Sequence, residues 1–423
     1  MKTNKTETSS PHFKEKESHI KEAKQSYMSI ELSDKINNLL PSATLAMAAK
    51  ARELKAQGED IISLSLGEPD FNIPEFVKEA GIKAIQEDYH AYPPVSGFVE
   101  LKQAIVEKLK RDNNLDYNLN QIVISTGAKQ ALSNLAWALL NPGDEVILPC
   151  PYWVSYKDIS KLVGAVPVEI KTTIDTNFKI TAEQLEAAIT PKTKMLVYSS
   201  PCNPSGSIYS KEELRALADV IKKHPQIVVV SDEIYEHINY TGKPHTSMAQ
   251  FEDLHDQVVV VNGVSKAFSM TGWRIGYMAT SEKIANACTK NQGQVTSGAN
   301  VIAQRASITA LKAPVSKIQY MIDEFAERRT LILKLLSEIK GFKCGEPEGA
   351  FYVFPNISHF FGKTIKGVQI NNATDFAMFL LSEAKVATVT GEAFGNPNCI
   401  RLSYAASRKE IEEAISRIKK VLN

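Results

Sequence analysis

Short apolar runs divide the middle of the chain at regular intervals. They are rich in β-branched residues and cover residues 122–124, 146–148, 195–198, 227–230 and 258–261. Nearly continuous apolar runs of this length are typical of strands that are buried on both faces. Between most of them the apolar positions follow a helical spacing, as from Leu214 to Ile221. This alternation predicts an α/β fold with a mostly parallel sheet and helices on both sides.

The last hundred or so residues have a different pattern. A long, charged helical pattern covers roughly residues 315–339, and a final amphipathic helix is predicted over residues 409–422. Two strand candidates, residues 350–354 and 400–404, lie between these helices. This order predicts a smaller α+β domain. Near the N-terminus, residues 43–57 have the pattern of a helix that joins one of the two domains.

Composition narrows the class of protein. A chain of 423 residues is long for one hydrophobic core and favours two domains. The hydrophobic share of 43% and the charged share of 23% are typical of a globular protein. The net charge of +1 gives no reason to expect nucleic acid or an anionic membrane as a partner. No apolar run approaches the roughly 20 residues that a membrane span requires.

The five cysteines contain no C-x-x-C pair, and their number is odd. This argues against a disulfide framework and against a structural metal site, and it fits a reducing, cytoplasmic location. Residues 1–27 are polar and lack both apolar periodicity and the apolar core of a signal peptide. We therefore expect them to form a disordered tail.

The segments that follow the strand candidates contain residues that can bind a ligand or take part in catalysis. Ligands of open α/β sheets bind just beyond the carboxyl ends of the strands. In "STGAKQALSNL" a strand is followed by a turn and a helix start, where the N–H groups of Gly127, Ala128 and Lys129 are expected to be free. Such a helix start is suited to a phosphate, although an ordinary helix cap is an equal alternative. No glycine-rich loop of an ATP or dinucleotide site is present.

Four further strand ends supply an acid, an aromatic ring, an asparagine and a lysine. Asp232 in "SDEIYEH" needs a cationic partner if it is buried in the ionised form. Trp153 offers a flat face, and the prolines around Asn203 in "SSPCNPSG" permit a cis Asn–Pro bond. Lys266 in "VVVVNGVSKAF" follows an apolar strand, so desolvation should favour its neutral, nucleophilic amine. Phosphate site, acid, aromatic plate and nucleophilic lysine together describe a site for pyridoxal 5'-phosphate (PLP).

These residues stand in motifs that identify a family. The motifs are "PSATLAMAAKARELKAQGEDIISLSLGEPDF", "GAKQAL", "PYWVSY", "SSPCNPSG", "VSDEIYEHI", "SKAFSMTGWRIGY" and "IRLSYA". From about Leu32 to the C-terminus the chain resembles the class I aminotransferases of PLP fold type I, and most closely the bacterial aspartate aminotransferases. The resemblance implies a large domain with a mostly parallel seven-stranded sheet flanked by helices, and a smaller α+β domain. The expected divisions are residues 28–75 (N-terminal arm and part of the small domain), 76–311 (large PLP-binding domain) and 312–423 (small domain).

The resemblance also implies roles for the residues around the cofactor. Lys266 would form the Schiff base with PLP and then act as general base and acid in a proton shift. Asp232 would pair with the pyridine nitrogen, while Asn203 and Tyr235 would hold the phenolic oxygen. Ser265, Arg274 and the backbone of "TGAK" would bind the phosphate. Tyr92 would reach the phosphate of the neighbouring subunit, which implies a homodimer with shared active sites.

On the substrate side, Arg401 would bind the α-carboxylate in a two-pronged ion pair. The substrate-binding residues that the resemblance implies are Gly67, Lys129, Trp153, Asn203 and Arg401. Lys129 would supply the second cation that an acidic side chain needs. Ser42 and Thr44 of the same chain are expected to assist Lys129 in binding this side chain. Ser297 is expected to do so from the neighbouring subunit.

The implied reaction is a ping-pong transfer of the amino group from L-aspartate to 2-oxoglutarate, which gives oxaloacetate and L-glutamate. Prephenate or another amino-acid partner is the alternative within the same subgroup. A PLP-dependent lyase or decarboxylase would share Lys266 and Asp232. A non-enzymatic regulator on this fold carries a winged-helix domain in front, and the 27-residue polar tail is too short for one.

Overall fold

The computed structural model of the protein describes residues 30–37, 39 and 41–422. The tail expected over residues 1–27 lies outside the described residues. The part of the chain up to Leu40 forms a separate unit, in which the short helix α1 (Asp34–Asn37) is described. The second unit is Pro41–Asn423.

A seven-stranded sheet forms the centre of the fold. Its strands are β2 (Ile122–Thr126), β3 (Glu145–Pro149), β4 (Val166–Ile170), β5 (Thr193–Ser199), β6 (Val228–Asp232), β7 (Val258–Gly263) and β8 (Ile275–Ala279). Their spatial order is β2-β8-β7-β6-β5-β3-β4. All neighbours run parallel except β8, which is antiparallel to both β2 and β7. The predicted mostly parallel seven-stranded sheet is therefore confirmed.

The apolar runs located five of the seven strands. Each predicted run lies within one observed strand, apart from Ile227, which precedes β6. The search for apolar runs did not find β4. This edge strand carries Pro167 and Glu169 and therefore has no continuous apolar stretch. An edge strand tolerates such residues since one of its sides has no ladder to complete. The apolar runs also did not predict β8, which begins directly after Arg274 within the motif "SKAFSMTGWRIGY".

Both faces of the sheet are buried. Along β7, Val258 and Val260 enter one hydrophobic cluster, and Val259 and Val261 enter another. The same alternation occurs along β5 and β6, as the two-residue period of a strand requires. This explains why the runs are apolar throughout rather than alternating with polar residues.

Helices cover the two faces in separate groups. One face packs against α3 (Glu75–Gln86), α4 (Val99–Asn113), α8 (Lys211–Ile221) and α10 (Val301–Lys312). The other packs against α5 (Ala128–Leu139), α6 (Ser155–Leu162) and α9 (Glu282–Val295). The helix α7 (Ala182–Ala188) follows β4 in the chain and begins with a capping box at Thr181.

A third hydrophobic cluster forms the core of a second body, which is built mainly from the C-terminal segments. It contains residues of α11 (Gln319–Ser337), α12 (Ala373–Glu383) and α13 (Arg408–Leu422). The short strands are β1 (Ile62–Ser63), β9 (Tyr352–Val353), β10 (Lys363–Ile365), β11 (Val368–Ile370), β12 (Val386–Ala387), β13 (Val389–Thr390) and β14 (Ile400–Ser403). Strand β14 pairs with both β9 and β13, so Arg401 is fixed in a buried three-stranded sheet.

The N-terminal helix α2 (Ala43–Ala56) packs against this second body. Its Ala51 lies in a small cluster with Ile61, Leu381 and Ala387. Strand β1 also adds to the same region, because it pairs with β12 in parallel. In the part of the chain that the structure describes, no helix combines the length and the apolarity that a bilayer span requires. The exact domain divisions stay a prediction.

Candidate active site

A cavity of about 300 Å³ lies at the carboxyl ends of the central strands. Its lining residues come from the large sheet, from the starts of helices α5 and α6, and from strands β9 and β14 of the second body. The sequence-predicted residues that line it are Ser42, Thr44, Gly67, Ala128, Lys129, Trp153, Asn203, Asp232, Tyr235, Ser265, Lys266, Arg274 and Arg401. The chain thus brings together motifs that are spread over more than three hundred residues.

Lys266 projects into the middle of this cavity. It follows β7, whose valines are fully buried and hold the strand end in place. Its Nζ atom donates a hydrogen bond to the carbonyl oxygen of Gly67 at 2.6 Å. Burial lowers the pKa of Lys266 to about 8, since Glu68 only partly offsets the desolvation and the cations Arg401 and Arg274 add to it. A substantial neutral fraction near neutral pH suits the amine to attack on a carbonyl group.

Asp232 lies at the end of β6, fully inside the protein. Burial raises the pKa of its carboxyl group to about 6, although two hydrogen bonds favour the ionised form. One comes from the hydroxyl of Tyr156 to Oδ2 at 2.6 Å, and the other from the backbone N–H of Ile234 to Oδ1 at 3.2 Å. A carboxylate in such a place is suited to pair with a protonated ring nitrogen.

Two hydrogen bonds hold the guanidinium of Arg401 and leave its other N–H donors available for a ligand. Its Nη1 donates to Oδ1 of Asn203 at 2.9 Å, and its Nη2 donates to the carbonyl oxygen of Ser65 at 2.6 Å. A guanidinium has more N–H donors than these two bonds use, and its Nε has no hydrogen-bond partner among the described residues. Because Arg401 is 2% exposed, a buried cation with unused donors fits the carboxylate of a substrate.

The loop that presents Asn203 is tightly constrained. The Asn203–Pro204 bond is cis, as the flanking prolines permit, and so is the Ser200–Pro201 bond just before it. The N–H of Cys202 donates to the carbonyl oxygen of Ser207, which closes the loop. The side chain of Asn203 is buried and ties this loop to Arg401 through its Oδ1.

The start of α5 forms the anion-binding end of the cavity. Gly127 adopts a φ of 79°, and a Cβ atom there would meet Nη2 of Arg274 at 2.3 Å. Gly276 approaches equally closely, since its Cβ would lie 2.2 Å from the backbone nitrogen of Ala128. These two glycines allow the guanidinium and β8 to press against the helix start, where backbone N–H groups attract anions.

One expectation about this helix start is wrong. The N–H of Gly127 is not free, because it donates to the carbonyl oxygen of Ser125 at 2.7 Å. Gly127 is the N-cap residue and α5 begins at Ala128, so the first N–H groups of the helix belong to Ala128 and Lys129. The free N–H groups at this helix start therefore begin one residue later than the motif suggested.

Lys129, the second residue of α5, lies over the ring of Trp153. The distance from its Nζ to the ring centroid is 4.9 Å. Partial burial and the charge of Arg274 lower the pKa of Lys129, while Asp158 acts in the opposite direction. Ser42 and Thr44, whose hydroxyls are 2.9 Å apart, line the same part of the cavity. A cation and two hydroxyls here offer a place for a second carboxylate.

Three predicted residues are not among those that line the cavity of their own chain, namely Gly127, Tyr92 and Ser297. Tyr92 is 97% exposed, and Ser297 is exposed with a φ of 60°. Both were expected to act in a neighbouring subunit. Their roles stay predictions.

Motif analysis missed two tyrosines that belong to the site. Tyr156 closes the quoted segment "PYWVSY" and packs edge-on against Trp153, with ring centroids 5.6 Å apart. Its position one helical turn after Trp153 was the signal that could have found it. Tyr352 lies in a predicted strand with no local signal, and its hydroxyl is 2.6 Å from that of Tyr235.

Comparison with known proteins identifies the family. The profile of "Aminotransferase class I and II" matches residues 59–418. The chain belongs to this family of aminotransferases. A probable aspartate/prephenate aminotransferase of Rickettsia bellii is 49% identical over 391 residues, which are 92% of this chain and 98% of the relative. The aspartate aminotransferase of Bacillus subtilis is 47% identical over 392 residues, with the same shares.

Solved structures agree with the family assignment. The aspartate aminotransferase of Rhizobium meliloti superposes with a TM-score of 0.90 at 42% identity, covering 93% of this chain and 99% of that one. The aspartate aminotransferase of Thermus thermophilus, solved with maleate, gives a TM-score of 0.87 at 39% identity, covering 93% of this chain and all of that one. The predicted fold type and the prediction of a PLP-dependent transaminase are confirmed.

The cavity of the aminotransferase has the donor set that PLP requires. Arg274 and the start of α5 would hold the phosphate, and Asp232 would hold the ring nitrogen. Lys266 lies between these two ends with a lowered pKa. The buried Oγ of Ser199, which also lines the cavity, has no hydrogen-bond partner among the described residues. Cation, acid and amine therefore match the groups of the cofactor.

A second polar cluster lies behind the sheet of the aminotransferase. Among the described residues, Glu233, Glu236 and His245 are close enough to hold a metal ion. Glu236, however, already accepts hydrogen bonds from Lys108, from Asn113 at 2.6 Å and from Asn262 at 2.7 Å. The ammonium of Lys108 supplies the positive charge that a metal would bring, so the cluster is a buried ion-pair network.

Proposed function

We propose that the protein is an aspartate aminotransferase that transfers the amino group of L-aspartate to 2-oxoglutarate. The cavity holds two cations besides Lys266 and Arg274, which are assigned to the cofactor. This observation carries the proposal. Arg401 lies at one end beside Asn203, and Lys129 lies beside Trp153. A substrate with one carboxylate needs only the first cation, whereas aspartate, glutamate and their oxoacids carry two carboxylates.

The comparisons support a dicarboxylic substrate. The relatives are named for aspartate, and the Thermus thermophilus enzyme was solved with maleate, a four-carbon dicarboxylate. Several relatives carry names that add prephenate. Prephenate is therefore the second candidate, and it also carries two carboxylates.

The residues of the chain perform the steps around the cofactor. PLP, when bound, supplies an electron sink for the bonds at the substrate α-carbon. Asp232 keeps the ring nitrogen protonated by remaining ionised beside it. Tyr235 and Asn203 would hold the phenolic oxygen, and Arg401 would orient the substrate through its α-carboxylate. The Nζ amine of Lys266 would take the proton from the substrate α-carbon as a general base and then give it, as a general acid, to the carbon on the other side of the transferred nitrogen.

We also propose a homodimer with shared active sites and a cytoplasmic location. The support for the dimer is Tyr92, an aromatic side chain that is 97% exposed in the single chain. The support for the location is the state of the five cysteines, all of which are free. The implied domain divisions at residues 75 and 311 are part of the same proposal.

The function can be tested by following each half-reaction of the transamination through the visible absorption band of the cofactor. Aspartate added to the pure holoenzyme should remove the visible band of the Lys266-linked cofactor, and 2-oxoglutarate should restore it. A lyase or decarboxylase would not show the second change, because it does not keep the amino group on the cofactor. A band that responds to neither aspartate nor glutamate would overturn the proposal.

Substitution of Lys129 tests the dicarboxylic specificity. Lys129→Ala should lower kcat/KM for aspartate by roughly 10- to 100-fold, as expected for the loss of one charge-assisted hydrogen bond. Activity with alanine, which has no second carboxylate, should change by less than about twofold. Lys161→Ala, at an exposed lysine of α6 outside the cavity, is the control. An equal loss with aspartate and alanine would contradict the role of Lys129.

A further inference from the structure

Tyr352 touches three parts of the site that the proposed function treats separately. It is fully buried at the start of β9, opposite Ser403 of β14. Its hydroxyl is 2.6 Å from the hydroxyl of Tyr235. Its ring lies 4.5 Å from the guanidinium carbon of Arg401. A Cβ atom at Gly67 would meet the same hydroxyl at 2.5 Å, so a glycine there leaves the room that Tyr352 needs.

The hydrogen bond between the hydroxyls of Tyr235 and Tyr352 can have only one donor once the cofactor is bound. Each hydroxyl has one proton to donate, and the geometry alone allows either tyrosine to be the donor. If Tyr235 gives its proton to the phenolic oxygen of the cofactor, it has none left for Tyr352. The hydrogen bond between the tyrosines must then use the proton of Tyr352. Tyr352 therefore orients the proton of Tyr235 toward the cofactor.

Burial keeps both tyrosines in the protonated form that this chain of donors requires. Desolvation raises the pKa of Tyr235 well above its usual value, and it also raises the pKa of Tyr352. Neither phenol is therefore ionised at neutral pH. Each hydroxyl remains both a donor and an acceptor, as a relay of two hydrogen bonds needs.

The ring of Tyr352 has a second role at the substrate end. Arg401 lies over the ring of Tyr352 and, at 5.1 Å, over the ring of Phe394. Contact with aromatic faces stabilises a guanidinium that has lost its water, and burial makes this contribution larger. The two rings also limit how the guanidinium can turn. Its unused donors are thus held in a fixed direction toward the cavity.

We propose that Tyr352 is a positioning residue that links the two ends of the reaction centre. Its hydroxyl donates to Tyr235 at the cofactor end, and its ring supports Arg401 at the substrate end. The inference rests on the proposed function, since it takes Tyr235 and Arg401 in the roles given there. It adds that one side chain serves both. A tyrosine that only fills the core would tolerate the loss of its hydroxyl without any change at the cofactor.

The substitution Tyr352→Phe tests the hydroxyl, because it keeps the ring. The readout is the pH titration of the visible band in the holoenzyme, measured without substrate. A donor at the phenolic oxygen stabilises negative charge there and so lowers the pKa of the nitrogen that joins Lys266 to the cofactor. Tyr352→Phe should raise this pKa by roughly 0.5–1 unit, the size of one ordinary hydrogen bond. The KM for aspartate should remain within about twofold.

The substitution Tyr352→Leu tests the ring. It should produce the same shift of the band and, in addition, raise the KM for aspartate and for alanine by roughly 5- to 30-fold, since both bind Arg401. If Tyr352→Leu loses its fold in circular dichroism, Phe394→Leu is used for the ring in its place. Tyr404→Phe is the matched control, because Tyr404 is equally buried and bonds to Ala350 and Tyr240 away from the cavity.

The outcomes separate this inference from the function. A band pKa in Tyr352→Phe that equals or falls below the wild-type value would overturn the donor role. An unchanged KM in the ring variant would overturn the support of Arg401. If the wild type itself fails to cycle with aspartate and 2-oxoglutarate, the proposed function fails instead. A wild type that cycles, together with a silent Tyr352→Phe, refutes the inference about Tyr352 alone.

Discussion

Lys266→Ala should abolish the visible band of the cofactor and lower turnover by roughly 10³-fold or more. The reason is that the amine serves twice, as the nucleophile that binds the cofactor covalently and as the group that moves the proton. It follows a strand whose valines are fully buried, and its Nζ bonds to the Gly67 carbonyl at the floor of the cavity. Absorbance of the purified variant with added PLP and a coupled assay with aspartate check both effects.

A matched control separates chemistry from folding. Lys283→Ala removes an exposed lysine of α9 and should leave both the band and the turnover unchanged. Circular dichroism and the melting temperature of Lys266→Ala should resemble those of the apoprotein. Full activity in Lys266→Ala would refute the central assignment of the active site.

The lowered pKa of Lys266 adds a pH dependence to the same prediction. Only the neutral amine attacks the aldehyde, and burial lowers the pKa of this amine to about 8. The neutral fraction therefore grows as the pH rises through about 8. Stopped-flow measurement of band formation after PLP is added to apoprotein should show a rate that increases with pH and levels off above about pH 8. A rate that keeps rising until about pH 10 would indicate an unperturbed lysine.

Arg401→Ala should lower kcat/KM for every amino-acid substrate by a similar factor, roughly 30- to 10³-fold. All of these substrates share the α-carboxylate, and a buried guanidinium with unused donors is its expected partner. Aspartate, glutamate and alanine should be affected alike, in contrast to Lys129→Ala. A panel of kcat/KM values for the three substrates measures this pattern.

Arg401→Lys is the informative companion variant. It keeps the charge but cannot reproduce the planar set of donors that binds Asn203, the Ser65 carbonyl and a carboxylate together. It should therefore recover less than about a tenth of the lost efficiency. Arg417→Ala, at a surface arginine of α13, is the control. A loss limited to aspartate and glutamate would show that Arg401 binds the side-chain carboxylate instead.

Much of the architecture follows from local patterns in the sequence. Five of the seven strands of the central sheet were located by apolar runs, because a strand buried on both faces has no polar positions. The edge strand β4 was missed since Pro167 and Glu169 break its run. Helix boundaries came within a few residues, as for α2 and α13, because amphipathic spacing marks the length of a helix.

The cofactor end of the site was also predictable from local sequence. Asp232 is the last residue of β6, and Lys266 and the start of α5 come shortly after β7 and β2. Parallel strands bring their carboxyl ends to one edge. The error at Gly127 came from backbone detail, because the turn uses its N–H for a bond to Ser125. Motif letters do not show which donors a turn consumes.

The remaining contacts join residues that are far apart in the chain and carry no periodic signal. Tyr352 meets Tyr235 across 117 positions, Lys266 meets Gly67 across 199, and Arg401 meets Ser65 across 336. Patterns of two or 3.6 residues report only which face of a strand or helix is apolar. The packing of the second body against the end of the sheet selects the partner of each polar side chain. For this reason local sequence was enough to place the lysine and its acid, whereas folding alone put Tyr352 between Tyr235 and Arg401.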